Sequence, residues 1–180
     1  MPPVTMALLC VFALCPGRAA ALDLLNGGIR GRFDDKTVLG AKQPEVFREY
    51  DVFANFQLPW RHPYASGWGW SLGLLVSTGV IQGAEKTGVV ASGVPLVVFA
   101  SPNGRVSVDA GAGFALLSRH RYALQDYSGP VQAALTLAVT SPLYRLIGIG
   151  YRFMHYSDAR AYGYHTTGAD FHTVELLYRF

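Results

Sequence analysis

The chain has 180 residues, enough for one domain with a real core; 51% are hydrophobic, 13% aromatic and only 15% charged, for a net charge of +3. The basic residues are scattered and form no block, which argues against an electrostatic surface for nucleic acid. Both cysteines, Cys10 and Cys15, fall in a leading segment read below as cleaved, so disulfides, thiol catalysis and cysteine-based metal sites are excluded from the mature chain.

In chain order, MALLCVFALC comes first, an apolar stretch too short to make a good membrane-spanning helix. Pro16-Gly17 breaks it, and Ala19-Ala20-Ala21 offers an A-x-A cleavage site. Residues 1–21 therefore read as a secretory signal peptide and 22–180 as the mature domain. No long apolar run follows. A secreted chain this apolar without a spanning helix points to an all-β fold, an eight-stranded antiparallel transmembrane β-barrel.

Eight alternating segments support that reading, separated by turn residues. They run 24–33, 44–60, 66–83, 87–101, 104–117, 128–140, 143–157 and 169–180. The stretch after the first, through Lys42, is polar. In the third segment Trp68, Trp70, Leu72, Leu74 and Val76 share one face, and Gly67, Gly69, Ser71, Gly73, Leu75 and Ser77 share the other. The second, fifth and sixth segments repeat the pattern of large apolar against small or polar. In a small barrel the apolar face meets lipid and the other fills a narrow lumen. The lumen set includes Arg30, Arg32, Asp34, Glu49, Asp51, Asp109, Arg152, Glu175 and Arg179. Both signs are present, so these side chains can pair inside a filled barrel that is not a channel. Pro95 interrupts the alternation of the fourth segment, and Pro-Asn-Gly at 102–104 signals a tight turn. Ser141-Pro142 closes the sixth segment. Trp60, Trp68, Trp70 and Tyr50 read as membrane-interface anchors.

The seventh segment carries the chemistry. Ile147, Ile149, Tyr151, Phe153, His155 and Ser157 form its lipid face, against Gly148, Gly150 and Arg152 on the lumen face. On the eighth, Phe180, Tyr178, Leu176, Val174, His172 and Asp170 share the lipid face. With both termini periplasmic, His155, Ser157 and Asp170 converge at the external end of one hairpin, closed by loop 158–168. Adjacent strands lie about 4.8 Å apart, so the side chains come within hydrogen-bonding reach. Serine, histidine and aspartate together allow acyl transfer: Ser157 attacks, His155 takes its proton and Asp170 orients the imidazole. Tyr151 and Phe153 are candidate substrate contacts on the same stripe. At this position the substrate is an ester in the outer leaflet, the lipid A part of lipopolysaccharide.

The motif His155-Tyr156-Ser157-Asp158-Ala159 resembles the H-x-S-N-A motif of the PagL-type lipid A 3-O-deacylases. The stretch TGAD at 167–170 is similar to the family's segment before its catalytic acid, and GVPLVVFA and VDAGAGFALLS to its fourth and fifth strands. The resemblance covers most of the mature chain and is sharpest over 148–180. It implies an eight-stranded barrel with a lipid-facing triad that removes the acyl chain at position 3 of lipid A, without a metal or other cofactor. It carries the base over to His155, the nucleophile to Ser157 and the acid to Asp170.

Two positions depart from the family pattern. Asp158 stands where the family has asparagine as an oxyanion donor, and a carboxylate is an acceptor. Arg160 stands where the family tends to have glycine, and is a candidate replacement donor. Asp158 also reads as a turn cap. Arg119 and Arg121, in an external loop, are candidate contacts for lipid A phosphates, with solvated loop charge the alternative. His172 reads as an interface residue and His165 as loop surface. Lipopolysaccharide, the outer membrane and a second copy of the chain are the expected partners. The alternative function is a non-catalytic outer-membrane barrel: an adhesin, a stabiliser or a deacylase that has lost activity.

Overall fold

The computed structural model describes residues 22–39, 43–64, 66–162 and 168–180. Residues 1–21, expected to be a signal peptide, and His165 lie outside the described residues. Eight long strands close a barrel in the order β1-β10-β9-β8-β5-β4-β3-β2, with every neighbour antiparallel. They are β1 (Asp23–Asp34), β2 (Phe47–Pro63), β3 (Gly69–Gly83), β4 (Lys86–Ala100), β5 (Ser107–Leu117), β8 (Val131–Tyr144), β9 (Ile147–Ser157) and β10 (Ala169–Arg179). A two-stranded hairpin, β6 (Arg121–Tyr122) with β7 (Gln125–Asp126), sits in the connection between β5 and β8. Closure is what removes the edges: every barrel strand has a neighbour on both sides, as a lipid-exposed sheet requires.

The inward and outward faces follow the alternation. Val76, Val97, Phe114, Leu137, Val139, Ile149, Val174 and Leu176 point outward and are exposed, while Leu75, Ile81, Val94 and Met154 are fully buried inside. The middle of the lumen is filled, while a cavity of about 380 Å³ lined by Asn26, Asn55, Gln57, Ser107 and Thr140 lies toward the end away from loop 118–130. Arg30 donates to Asp51 through Nε (2.9 Å) and Nη2 (2.7 Å) and lies 3.5 Å from Glu175. Arg152 donates to Glu175 (2.6 Å) and grips both oxygens of Asp109 (2.7 and 3.1 Å). This chain of opposite charges crosses the barrel from β2 to β5, each charge held by a partner of the other sign. Asp34 departs from expectation: it sits past the β1 bulge and is exposed at the rim. Arg179 lies half-buried at the opposite rim.

Two further expectations need correction. Ser141-Pro142 does not end its strand; β8 continues to Tyr144 and the turn falls at 145–146. Partnering with β5 stops at Thr140, so Pro142 has no ladder bond to forfeit on that side. The fourth strand alternates strictly through Pro95, which pairs with Leu74 on β3. On the β5 side the ladder skips Val94 and Pro95. There Gly111 and Gly113 face the β4 backbone: a Cβ on Gly111 would lie 2.1 Å from the Pro95 carbonyl oxygen, and one on Gly113 2.2 Å from that of Gly93. These glycines serve backbone approach between two strands more than lumen space. The Pro102–Gly104 turn forms as expected, with Asn103 at φ 62°.

The end bearing loop 118–130 is roofed. Tyr122 and Tyr127 fold inward from it onto Phe47, with ring centroids 5.1 and 6.2 Å away, and Phe47 meets Phe171 at 6.2 Å. Burial pushes the Tyr127 hydroxyl well above its ordinary titration range and raises that of Tyr122 as well. At the other end Trp60 and Trp68 are exposed, and Trp68 stacks on Phe99 at 5.1 Å.

Candidate active site

The site sits on the outer wall, at the roofed end, on β9 and β10. Strand geometry supplies it. His155 and Ser157 are two residues apart on one outward face, and antiparallel register sets Asp170 directly opposite His155. His155 Nδ1–H donates to Asp170 Oδ1 at 2.6 Å. A carboxylate only accepts, so Nδ1 carries a proton, and in the neutral imidazole Nε2 is then the position that can take one. That is the tautomer a general base needs. Asp170 is fully buried and His155 nearly so. Gly168 shapes the imidazole's seat: a Cβ there would stand 2.7 Å from its Cε1 and 3.0 Å from its Nε2. Ser157 is half-buried and makes no side-chain hydrogen bond among the described residues.

Next to the triad residues is an aromatic cluster. Tyr151 stacks on His172 at 6.1 Å, Phe153 packs on it at 5.3 Å, and Phe33 meets Tyr151 edge-on at 6.1 Å. Tyr151 O–H donates to His172 Nδ1 (2.7 Å), and His172 Nε2–H donates to the Lys36 carbonyl (2.9 Å). His172 is thus tied to the segment after β1. On the other side of Ser157 the register partner is the small Ala133, and Leu135 faces His155.

Asp158 follows the inward parity. It is buried, and its oxygens accept the amides of Arg160 (3.0 Å) and Tyr162 (3.2 Å). Ala159 and Arg160 both take positive φ, 49° and 68°, in a turn closed by Ala161 N–H to the Asp158 carbonyl (2.8 Å). The left-handed backbone at Arg160 is the conformation glycine adopts without strain, and here an arginine holds it with an exposed side chain. Arg119 donates to the Thr87 carbonyl (3.2 Å), and Arg121 pairs with Asp126 at 2.9 Å on an exposed surface. Both belong to loop 118–130 and not to the triad. That loop abuts the one after β9, since a Cβ on Gly129 would meet the Tyr162 ring at 2.3 Å.

The sequence reading did not anticipate the role of residues 36–39. They cross the outside of β10 and donate two backbone amides to Asp170 Oδ2, from Val38 at 2.5 Å and from Leu39 at 2.7 Å. A polar stretch between strands carries no signal for such a contact. No group of histidine, cysteine and acidic residues able to hold a metal occurs among the described residues.

A family model described as Lipid A 3-O-deacylase (PagL) matches residues 48–179. The crystal structure of the outer membrane enzyme PagL superposes with a TM-score of 0.68 at 14% identity, over 86% of this chain and 99% of that one. At that identity the superposition establishes the eight-stranded barrel fold. No curated protein matches the chain.

Proposed function

Because the chain belongs to the lipid A 3-O-deacylase (PagL) family, we propose that it hydrolyses the ester-linked acyl chain at position 3 of lipid A in the bacterial outer membrane, by a Ser157-His155-Asp170 mechanism. The observation that carries the reading is the 2.6 Å bond from His155 to a fully buried Asp170 on the outward face, two residues from Ser157. A serine-histidine pair on a lipid-facing wall meets an ester that itself lies in a membrane.

In this mechanism Ser157 Oγ attacks the ester carbonyl while its proton passes to His155 Nε2. Asp170 stabilises the imidazolium that forms. The tetrahedral intermediate collapses, the C–O bond to the sugar breaks, and His155 returns the proton to the departing 3-oxygen. Water, deprotonated by His155, then cleaves the acyl-serine and releases the fatty acid. Tyr151 and Phe153 flank the acyl chain. Arg119 and Arg121 are the proposed contacts for lipid A phosphates. The oxyanion is stabilised by a donor from the turn after Ser157, with the Arg160 side chain the candidate. Asp158 serves that turn, its oxygens occupied by two amides.

Mass spectrometry of lipid A from a host expressing the chain, beside a Ser157→Ala control, tests the reading. Loss of one acyl chain in the wild type alone establishes activity and nucleophile together. A second reading, a barrel of this family without turnover, draws on the acidic residue after Ser157, where the family pattern has asparagine. Unchanged lipid A in both strains, with folded protein confirmed in the outer membrane, would establish that reading instead.

A further inference from the structure

Along the outward face of β10, Val174, Leu176 and Tyr178 are 44–48% exposed, but Asp170 and His172 on the same face are 0% and 7% exposed. The segment 36–39 is bonded to both. We propose that this segment is a positioning strap of the active site, one that holds the catalytic acid through its own backbone and is itself held by His172. The inference rests on the deacylase reading above.

The contacts are specific. Asp170 spends Oδ1 on His155. Its Oδ2 accepts two successive amides of the strap, from Val38 and Leu39. Consecutive N–H groups converging on one oxygen form a small anion-binding nest. Such donors suit this place: a carboxylate facing outward from a barrel wall needs satisfaction without water. The strap is anchored on both sides of the nest. His172 donates to the Lys36 carbonyl and accepts from Tyr151. Arg32 donates to the carbonyls of Asp34 (2.8 Å), Phe47 (2.9 Å) and Asp170 (3.0 Å). Gln43 Oε1 accepts the Asp170 amide (3.3 Å), and the Gln43 amide donates to Thr37 Oγ1 (3.2 Å). The side chains of Val38 and Leu39 are themselves exposed. The strap therefore acts on the acid through its main chain, and the side chains of Val38 and Leu39 are replaceable.

A proline at 39 removes one nest donor. The test measures kcat and KM for lipid A deacylation by full-length protein in detergent micelles, with folding checked by heat-modifiable migration. Leu39→Pro is expected to lower kcat about tenfold or more while KM moves by less than about twofold, since small misplacements of a catalytic group cost this much. Leu39→Ala, which keeps the amide, loses less than about threefold. In an Asp170→Asn background Leu39→Pro costs nothing further, because both changes act on one group. Should Leu39→Pro fail to fold, His172→Phe carries the test: it keeps a flat ring, loses the bond to Lys36 and lowers kcat, and His172→Gln, which restores a donor, recovers part of it. Equal losses for Leu39→Pro and Leu39→Ala, or an undiminished cost of Leu39→Pro beside Asp170→Asn, would overturn the strap. Wild-type kcat in Asp170→Asn alone would overturn the acid assignment and the strap with it.

Discussion

His155 has little room. Asp170 fixes one ring nitrogen and Gly168 bounds the other side. Gly168→Ala puts a methyl against Cε1 and Nε2, so the ring must swing away from its bond with Asp170. Deacylation by this variant is expected to fall at least about tenfold in kcat with the barrel intact, measured by initial rates on lipid A. Asp158 gives a prediction of opposite sign. Its carboxylate closes the turn after Ser157, where in the proposed mechanism charge develops on the oxyanion. Asp158→Asn keeps an amide acceptor for the turn and removes a negative charge, so the rate is expected to rise about threefold or more. A fall in rate would mean that the turn needs both carboxylate oxygens more than the oxyanion needs a neutral neighbour. The placement of His155, Ser157 and Asp170 on one face was legible in the sequence because strand parity has a period of two and leaves little choice of face. Gly168 and the amides of residues 38 and 39 were not, because a missing side chain and a backbone donor leave no pattern to read.

Strands and their pairings set the next scale. Arg152 joins β9 to Glu175 on β10 and Asp109 on β5, and is fully buried. Arg152→Met removes the shared cation, leaving Asp109 without its ion-pair partner and Glu175 with Arg30 alone inside the barrel. The expected cost is about 3–5 kcal/mol, read as a lower midpoint in urea unfolding from micelles or bilayers. The β4–β5 seam is sensitive for a different reason. Gly111→Ala drives a methyl into the Pro95 carbonyl, and the folded, heat-modifiable band is expected to weaken. The charge pairs were foreseeable from parity, which sends both signs inward. The break in the β4–β5 ladder was not, since proline's effect depends on which neighbour its missing N–H faces.

The whole molecule is a wall with lipid outside and paired charge within. Leu137 lies on the outward face of β8, and a charge there must enter hydrocarbon or bend the bilayer. Leu137→Arg is expected to cost about 2–4 kcal/mol if the residue sits at the midplane, measured by reversible folding into lipid vesicles. At this scale the site's position makes sense. A carboxylate and an imidazole on an outer wall are tolerable only near its rim and hydrogen-bonded, and the strap is bonded to both Asp170 and His172.

Composition and alternation determined the barrel, its strand number, which side chains face lipid, and the convergence of His155, Ser157 and Asp170 on one hairpin. These follow from local rules: period-two geometry, antiparallel hairpins and closure leave few other arrangements. Tertiary structure alone decided that Asp170 is buried when strand parity makes it lipid-facing, that loop 118–130 roofs the lumen, and that Asp158 turns inward to hold a turn. Those outcomes rest on contacts between segments far apart in the chain, made through backbone groups that every residue shares, and no local pattern specifies which amide will meet which oxygen.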